Sequence, residues 1–387
     1  MKCLRCQNED ERLFGFDHGT WYCRKCVAMS RLDVGESVRP VSLSHRVWKG
    51  SPVLKYELTD AQKRVSKQAL SYLKQGKDVF VYAATGAGKT EITFESICWY
   101  LSLGKKVGFA ISRRQVVLEI AQRLRIAFPS LSVVEVCQGF TKVWDADLIV
   151  CTTHQLYRYP YGFDLLILDE LDAFPYVNDP LLQSLSSQAC KGQRLLLSAT
   201  PDEKSMEDID SHRMEMVTLF ERPHKHPLCV PEVIRLPLCL QWIVLIRLIL
   251  KLKKEQKQVL LFVPTKKECV WVTFILRCLT SVSYIHSSVK DKDFVMERFK
   301  DQKFQVLVST TLLERGITVP SVQVIVFRGE HIVFTTASLI QIFGRVGRSF
   351  QDPDGEGYCL CRFESGGIKE CVRQIRWMND CVRTVSK

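Results

Sequence analysis

Two α/β domains in tandem, each built on a parallel sheet, with one small four-cysteine module ahead of the first, is the fold class this sequence predicts. Three observations predict it. Short continuous apolar runs, such as residues 107–111 and 165–168, alternate with helical patterns, as parallel strands covered on both faces do. The rhythm pauses over residues 213–236 and then restarts, so a second sheet follows the first. Near the start, Cys3-Leu4-Arg5-Cys6 is answered by Cys23-Arg24-Lys25-Cys26, two C-x-x-C pairs with sixteen residues between them.

Composition sets the outer limits. A chain of 387 residues has room for two or three domains. Its net charge of +12, from 54 basic and 42 acidic residues, favours a polyanionic partner through long-range attraction. The opening residues lack the apolar core of a leader peptide. Sixteen cysteines without a leader are expected in a reducing, cytoplasmic setting, some on metal and most buried as small apolar residues. The most apolar stretch, 236–252, carries Gln241, Arg247 and Lys251; it is expected as a packed helix and not as a membrane span.

Taken in order, residues 1–30 form a metal module. The spacing of Cys3, Cys6, Cys23 and Cys26 fits a tetrahedral four-thiolate Zn²⁺ site, and a unit this small needs metal to fold. Residues 31–54 read as a linker or loose arm. A helix begins at Leu58-Thr59-Asp60-Ala61-Gln62, with Thr59 as its cap, and Gly76 ends it. The first domain, 55–212, continues with strands near 78–82, 107–111, 133–136, 148–151, 165–168 and 194–197, and helices from Glu91 and over 115–128. A connector rich in charge and proline is expected over 213–236. The second domain, 237–387, repeats the alternation, with strands near 259–263, 284, 306–308, 322–327 and 358–363. Its helices are expected over 241–253, 267–279 and 291–299, from Thr336, and at the C-terminal end.

The chemistry gathers at strand ends, where ligands bind in such sheets. Ala83-Ala84-Thr85-Gly86-Ala87-Gly88-Lys89-Thr90 lies between a strand and a helix. Its glycines let backbone N–H groups approach a polyphosphate; Lys89 is placed for the β- and γ-phosphates and Thr90 for Mg²⁺. Asp169 ends an apolar strand and suits the Mg²⁺ water shell, while Glu170 suits the attacking water. Only the first domain carries such a loop. In the second, Arg345 and Arg348 lie in G-R-x-G-R, and a guanidinium there would neutralise charge building on the γ-phosphate. The plainer alternatives are a solvated strand end and a surface arginine pair. Cys359, Cys361, Cys371 and Cys381 are irregularly spaced and read as buried apolar cysteines.

The ordered set AATGAGKT, DELD, SAT and QIFGRVGR resembles a superfamily 2 helicase or translocase, and the resemblance covers residues 55–365. With the N-terminal cysteines, TTLLERGIT and QIFGRVGRS, the chain is similar to the ComFA family of late-competence DNA-uptake ATPases. That resemblance implies two RecA-like motor domains using ATP, Mg²⁺ and Zn²⁺. It implies nucleotide contacts from Gln62, Ala84, Thr85, Gly86, Ala87, Gly88, Lys89, Thr90 and Gln341. Catalysis falls to Lys89, Asp169, Glu170, Arg345 and Arg348, and coupling to Ser198, Ala199 and Thr200. Single-stranded DNA would meet Arg113, Arg114, Thr152, Thr153, Thr265, Thr310 and Thr311, hydroxyls and guanidinia suited to phosphates. The implied partners are other competence proteins, a ComFC-like protein and the membrane DNA channel, at the inner face of the membrane. Two positions depart from the family pattern: Ile342 replaces an arginine and Thr318 an acidic residue. A PriA-like restart helicase would carry its cysteines inside the second motor, and an RNA helicase of the DEAD-box type would not carry DELD. A zinc-containing docking factor with a gating ATP site is the rival from another class.

Overall fold

A computed structural model of the protein describes residues 1–172, 176, 179–314, 319–350 and 352–385. The chain divides into two compact units. The first comprises Met1–Ala83 and Gly88–Leu219, the second Phe220–Lys387 with Ala84–Ala87.

The N-terminal module of the first unit is a hairpin held between cysteine pairs. Strands β1 (Phe14–Asp17) and β2 (Thr20–Cys23) pair antiparallel, Phe14 opposite Cys23. His18 and Gly19 both take positive φ (48° and 78°), the turn that matches the twist of a two-residue hairpin. The module rests on the flank of the first unit's sheet rather than hanging from it. The Ser184 hydroxyl donates to the Arg5 carbonyl at 2.8 Å, and the Gln188 amide to the Leu4 carbonyl at 2.8 Å.

Residues 31–54 are not the loose arm their composition implies. Leu43 and Trp48 are buried, and the Trp48 indole N–H donates to the Ser130 hydroxyl. Lys106, itself buried, donates through Nζ to the Ser44 carbonyl at 2.8 Å and to Asp145 at 2.7 Å. A buried ammonium needs such partners, so the arm is fastened where it supplies one.

The first sheet follows from the sequence pattern. Helix α1 (Asp60–Lys74) starts with a capping box: Thr59 Oγ1 accepts from the Gln62 N–H, and Gln62 Oε1 accepts from the Thr59 N–H. The chain then runs β3 (Asp78–Ala83), α2 (Phe94–Ser102), β4 (Val107–Ile111), α3 (Arg114–Ala127), β5 (Val133–Val136) and β6 (Leu148–Thr152). It continues as β7 (Phe163–Asp169), α4 (Pro180–Ala189), β8 (Cys190–Ser198), α5 (Glu203–Asp210) and β9 (Met214–Leu219). Among the described residues the sheet has seven parallel strands in the order β5-β6-β4-β7-β8-β3-β9. The helix expected from Glu91 opens instead as a 3₁₀ turn, Glu91–Thr93. Both the N–H and the hydroxyl of Thr93 donate to the Thr90 carbonyl, which tightens the turn and delays α2 to Phe94.

The second unit holds β10 (Glu232–Arg235), α6 (Leu238–Lys254), β11 (Val259–Phe262), α7 (Lys266–Leu276), β12 (Val282–Ile285), α8 (Lys292–Lys300) and β13 (Val306–Ser309). It ends with β14 (Gln323–Phe327), α9 (Thr336–Phe343), β15 (Gly357–Cys361) and α10 (Gly366–Val385). Its six described strands are parallel, in the order β10-β15-β14-β11-β13-β12. Residues 213–236 are therefore not a plain connector. β9 pairs along β3 at one edge of the first sheet, and β10 pairs along β15 at one edge of the second. The C-terminal cysteines Cys359, Cys361 and Cys371 are buried as apolar residues, as expected, whereas Cys381 is only half-buried; among the described residues the N-terminal four form the one cysteine cluster compact enough for metal.

Candidate active site

Strand register brings the predicted site of the first unit to one edge of its sheet. Tyr82 of β3 pairs with Ser198 of β8, Asp169 of β7 with Leu197 of β8. Ile111 of β4 faces Asp169 on one side and Thr152 of β6 on the other. The loop after β3, the acidic pair after β7, Ser198–Thr200 after β8 and Thr152–Thr153 after β6 thus leave the sheet side by side at the strands' carboxyl ends.

In the loop, Gly86 and Gly88 adopt positive φ of 82° and 83°, which only glycine takes at no cost. At Gly88 space also excludes a side chain: an added Cβ would lie 2.3 Å from Gln62 Nε2. Gln62 is buried over the loop while its carbonyl oxygen is held by the α1 cap, so the cap sets where its amide points. Lys89 is half-buried and Thr90 buried.

Asp169 is buried at the end of β7, and its Oδ1 accepts the Glu170 N–H at 2.8 Å. Glu170 has φ 58°, a conformation that costs a non-glycine residue about 1–3 kcal/mol and is retained at functional sites. Two residues on, Asp172 receives both hydroxyls of the next motif: Ser198 Oγ donates to Oδ1 and Thr200 Oγ1 to Oδ2, each at 2.9 Å. Sequence reading assigned Ser198, Ala199 and Thr200 to coupling and gave Asp172 no role. The signal was present in its position as the last acid of DELD.

The candidate DNA contacts of this unit differ in state. Arg113 is half-buried at the N-cap of α3; Arg114 Nε donates to the Gln138 carbonyl at 2.9 Å. Thr152 and Thr153 are buried.

Within the second unit, α9 carries Gln341 into the interior, and Arg345, just past its end, is also buried. Arg348 Nε donates to the Gly344 carbonyl at 2.9 Å. A residue that sequence reading passed over organises this turn. Arg222, 1% exposed, donates to the carbonyls of Gly344 (3.0 Å), Val346 (2.8 Å) and Gly347 (3.1 Å). Burial, and then the Arg348 charge, pull its guanidinium down to about 9. These carbonyls lie at and beyond the C-terminus of α9, where a cation is favoured. Thr265 caps α7, accepting the Glu268 N–H and donating to the Glu268 carboxylate. Thr310 and Thr311 follow β13; Thr318 and the adjoining 315–317 lie outside the described residues.

The N-terminal cysteines converge. Their four Sγ atoms lie within 4.8 Å of one another, with Cys3–Cys26 at 3.7 Å and Cys6–Cys23 at 3.5 Å. Zn–S bonds of about 2.3 Å in a tetrahedron require sulfurs about 3.8 Å apart, so the donor set fits zinc. Crowding separates the thiols: Cys26 holds Cys3 down, and Cys3 and Cys6 push Cys26 far up.

Residues 59–209 match the DEAD/DEAH box helicase family and residues 241–350 the helicase conserved C-terminal domain. Competence protein ComFA of Streptococcus pneumoniae is 33% identical over 97% of this chain and 90% of its own length. ComFA of Bacillus subtilis is 32% identical over 99% and 87%. This chain belongs to the ComFA family. As a ComFA-family protein it is a competence-associated ATP hydrolase of helicase superfamily 2, and it uses ATP with Mg²⁺. Its fold is shared with a Mycobacterium smegmatis Lhr helicase bound to single-stranded DNA (TM-score 0.60, 17% identity, 84% of this chain and 50% of that one). A RecG structure aligns comparably (TM-score 0.57, 21% identity, 84% and 45%). Both sheets are therefore RecA-like motor folds. No described helix is long and apolar enough to cross a membrane.

Proposed function

We propose that this protein is an ATP-driven motor that moves single-stranded DNA inward during competence. The observation that carries the reading is the shared carboxyl end of the sheet, where Asp172 joins the acidic motif to Ser198 and Thr200, and where Thr152 and Thr153 leave β6, one strand beyond β4. Hydrolysis chemistry and a candidate strand contact leave the same end of the sheet, and the Asp172 bonds tie the acidic motif to the coupling triplet.

In this reading the backbone of Ala84–Gly88 cradles phosphates and Lys89 neutralises them. Thr90 and Asp169 hold Mg²⁺, which screens the phosphate charge when bound; their hard oxygen donors suit it. Glu170 orients the attacking water and takes its proton. Gln62 and Gln341 contact the nucleotide, and Arg345 and Arg348 neutralise charge on the γ-phosphoryl oxygens as the group passes from ADP to water. Arg113, Arg114, Thr152, Thr153, Thr265, Thr310 and Thr311 contact the DNA backbone, which positions a strand without reading its sequence. Ser198–Thr200 carry the coupling. Cys3, Cys6, Cys23 and Cys26 hold Zn²⁺. The protein works from the cytoplasm with other competence proteins at the membrane channel.

The test is steady-state ATP hydrolysis at fixed salt with no nucleic acid, single-stranded DNA, duplex DNA and RNA, for wild type and Glu170→Gln. Salt is fixed because phosphate contacts are strongly ionic-strength dependent. Stimulation of about tenfold or more by single-stranded DNA, lost in Glu170→Gln, is the expected result. Preference for RNA would replace the substrate, and equal low rates throughout would remove the motor.

A further inference from the structure

Helix α6 is apolar on more sides than packing on its own sheet requires. Gln241, Leu245, Ile249 and Leu252 face inward and are buried. The opposite stripe holds Leu240, Ile243 and Leu250, all exposed, with Arg247 among them. A surface helix ordinarily carries polar residues there. Helix α7 repeats the pattern. Cys269, Val272, Thr273 and Leu276 are buried, whereas Trp271 is 56% and Phe274 70% exposed.

The two helices adjoin. Trp242 of α6 meets Trp271 of α7 edge to face at 5.3 Å, and Lys253 Nζ donates to the Leu279 carbonyl just beyond α7. Next to Phe274 lies an open slot of about 580 Å³, lined by Val270, Trp271, Phe274 and His286 and bordered by Lys266 and Lys267. Exposed apolar side chains gathered on neighbouring helices and flanked by charge mark an interaction surface.

We propose that this face docks a partner protein through an acidic amphipathic helix, whose apolar side chains enter the slot and cover the stripe. Charge selects the occupant. α6 contains no acidic residue. The single acid of α7, Glu268, is engaged by the Thr265 hydroxyl and by Arg328. Lys266 and Lys267 border the slot, Arg247 lies within the α6 stripe and Lys254 at its end, and all four are basic. A second copy of this chain would set basic rim against basic rim, which is repulsive. The open slot and the exposed side chains next to it suit discrete apolar anchors, which a helix presenting them at i, i+3, i+4 and i+7 supplies.

The probe is a fluorescein-labelled peptide of about 18 residues with leucine and phenylalanine on one helical stripe and glutamate elsewhere, titrated with the full-length protein. A control peptide has lysine in place of every glutamate. The variants are Trp271→Glu/Phe274→Glu, which spoils the apolar area, and Arg247→Glu/Lys267→Glu, which reverses the rim. Unchanged basal ATP turnover shows that each is folded. The acidic peptide is expected to bind wild type, to bind both variants at least tenfold more weakly, and to outcompete the basic control. Equal binding of the two peptides, or binding that survives both variants, overturns the proposal. So does sedimentation with phosphatidylglycerol vesicles, or concentration-dependent dimerisation, that either variant abolishes while the acidic peptide fails to bind.

Discussion

Asp172 spends both carboxylate oxygens on hydroxyls from the neighbouring strand, and Arg222 spends its guanidinium on carbonyls. Neither group is placed to touch a nucleotide by these bonds; each fixes a turn that carries residues proposed to do so. Asp172→Asn keeps one acceptor and loses the other's charge. It is expected to leave basal ATP turnover within about threefold while lowering movement along single-stranded DNA at least tenfold, in a strand-displacement or triplex-displacement assay. Equal loss of both would make Asp172 a general stabiliser of the sheet edge. Arg222 predicts a different division. Arg222→Met strands three carbonyls around the α9 C-terminus, so kcat should fall about tenfold with KM for ATP little changed, and Arg222→Lys should recover part of it. A matching fall in melting temperature with intact kcat would mark the residue as structural only. The sequence flagged Asp172 only as the last acid of DELD, without its partners, and did not flag Arg222 at all. Asp172 acts through the β7–β8 register, and Arg222 sits in a charged stretch where one arginine looks like the next.

Elements were more legible than their edges. β3, β4, β5 and α1 lie where alternation and caps put them, because buried parallel strands are continuous apolar runs and Thr59 is a strong start signal. β9 and β10 were missed for the same reason reversed. Met214–Leu219 mixes buried and open positions, and Glu232–Arg235 has charge at both ends, as sheet-edge strands do. The arm over 31–54 has no regular structure to predict, and its fastening depends on Lys106 meeting a chain 62 residues away. The four cysteines were legible outright, since C-x-x-C pairs carry the ligand spacing in themselves. For that element the expected outcome is one zinc per chain by elemental analysis. Stripping it with a strong chelator, or Cys23→Ser, should open residues 1–30 to protease and shift Trp21 fluorescence. Basal ATP turnover should persist, because Lys89, Asp169 and Glu170 are held by the seven-stranded sheet.

At the scale of the molecule, tandem motor folds and a single phosphate loop were readable because strand ends, glycines and acids recur in a fixed order along the chain. The apolar face of α6 was not. A run of leucines and isoleucines is equally consistent with a helix buried on one side and with one apolar on both, and only the exposed Leu240, Ile243 and Leu250 distinguish them. The seating of the zinc module has a consequence for how such proteins are assembled from parts. Because α4 grips the first cysteine knuckle by the Leu4 and Arg5 carbonyls, the module is not a bead that can be exchanged by cutting at the linker. A chimera that swaps residues 1–30 between relatives must bring the Ser184 and Gln188 side of α4 with it, so the transferable piece is discontinuous in sequence.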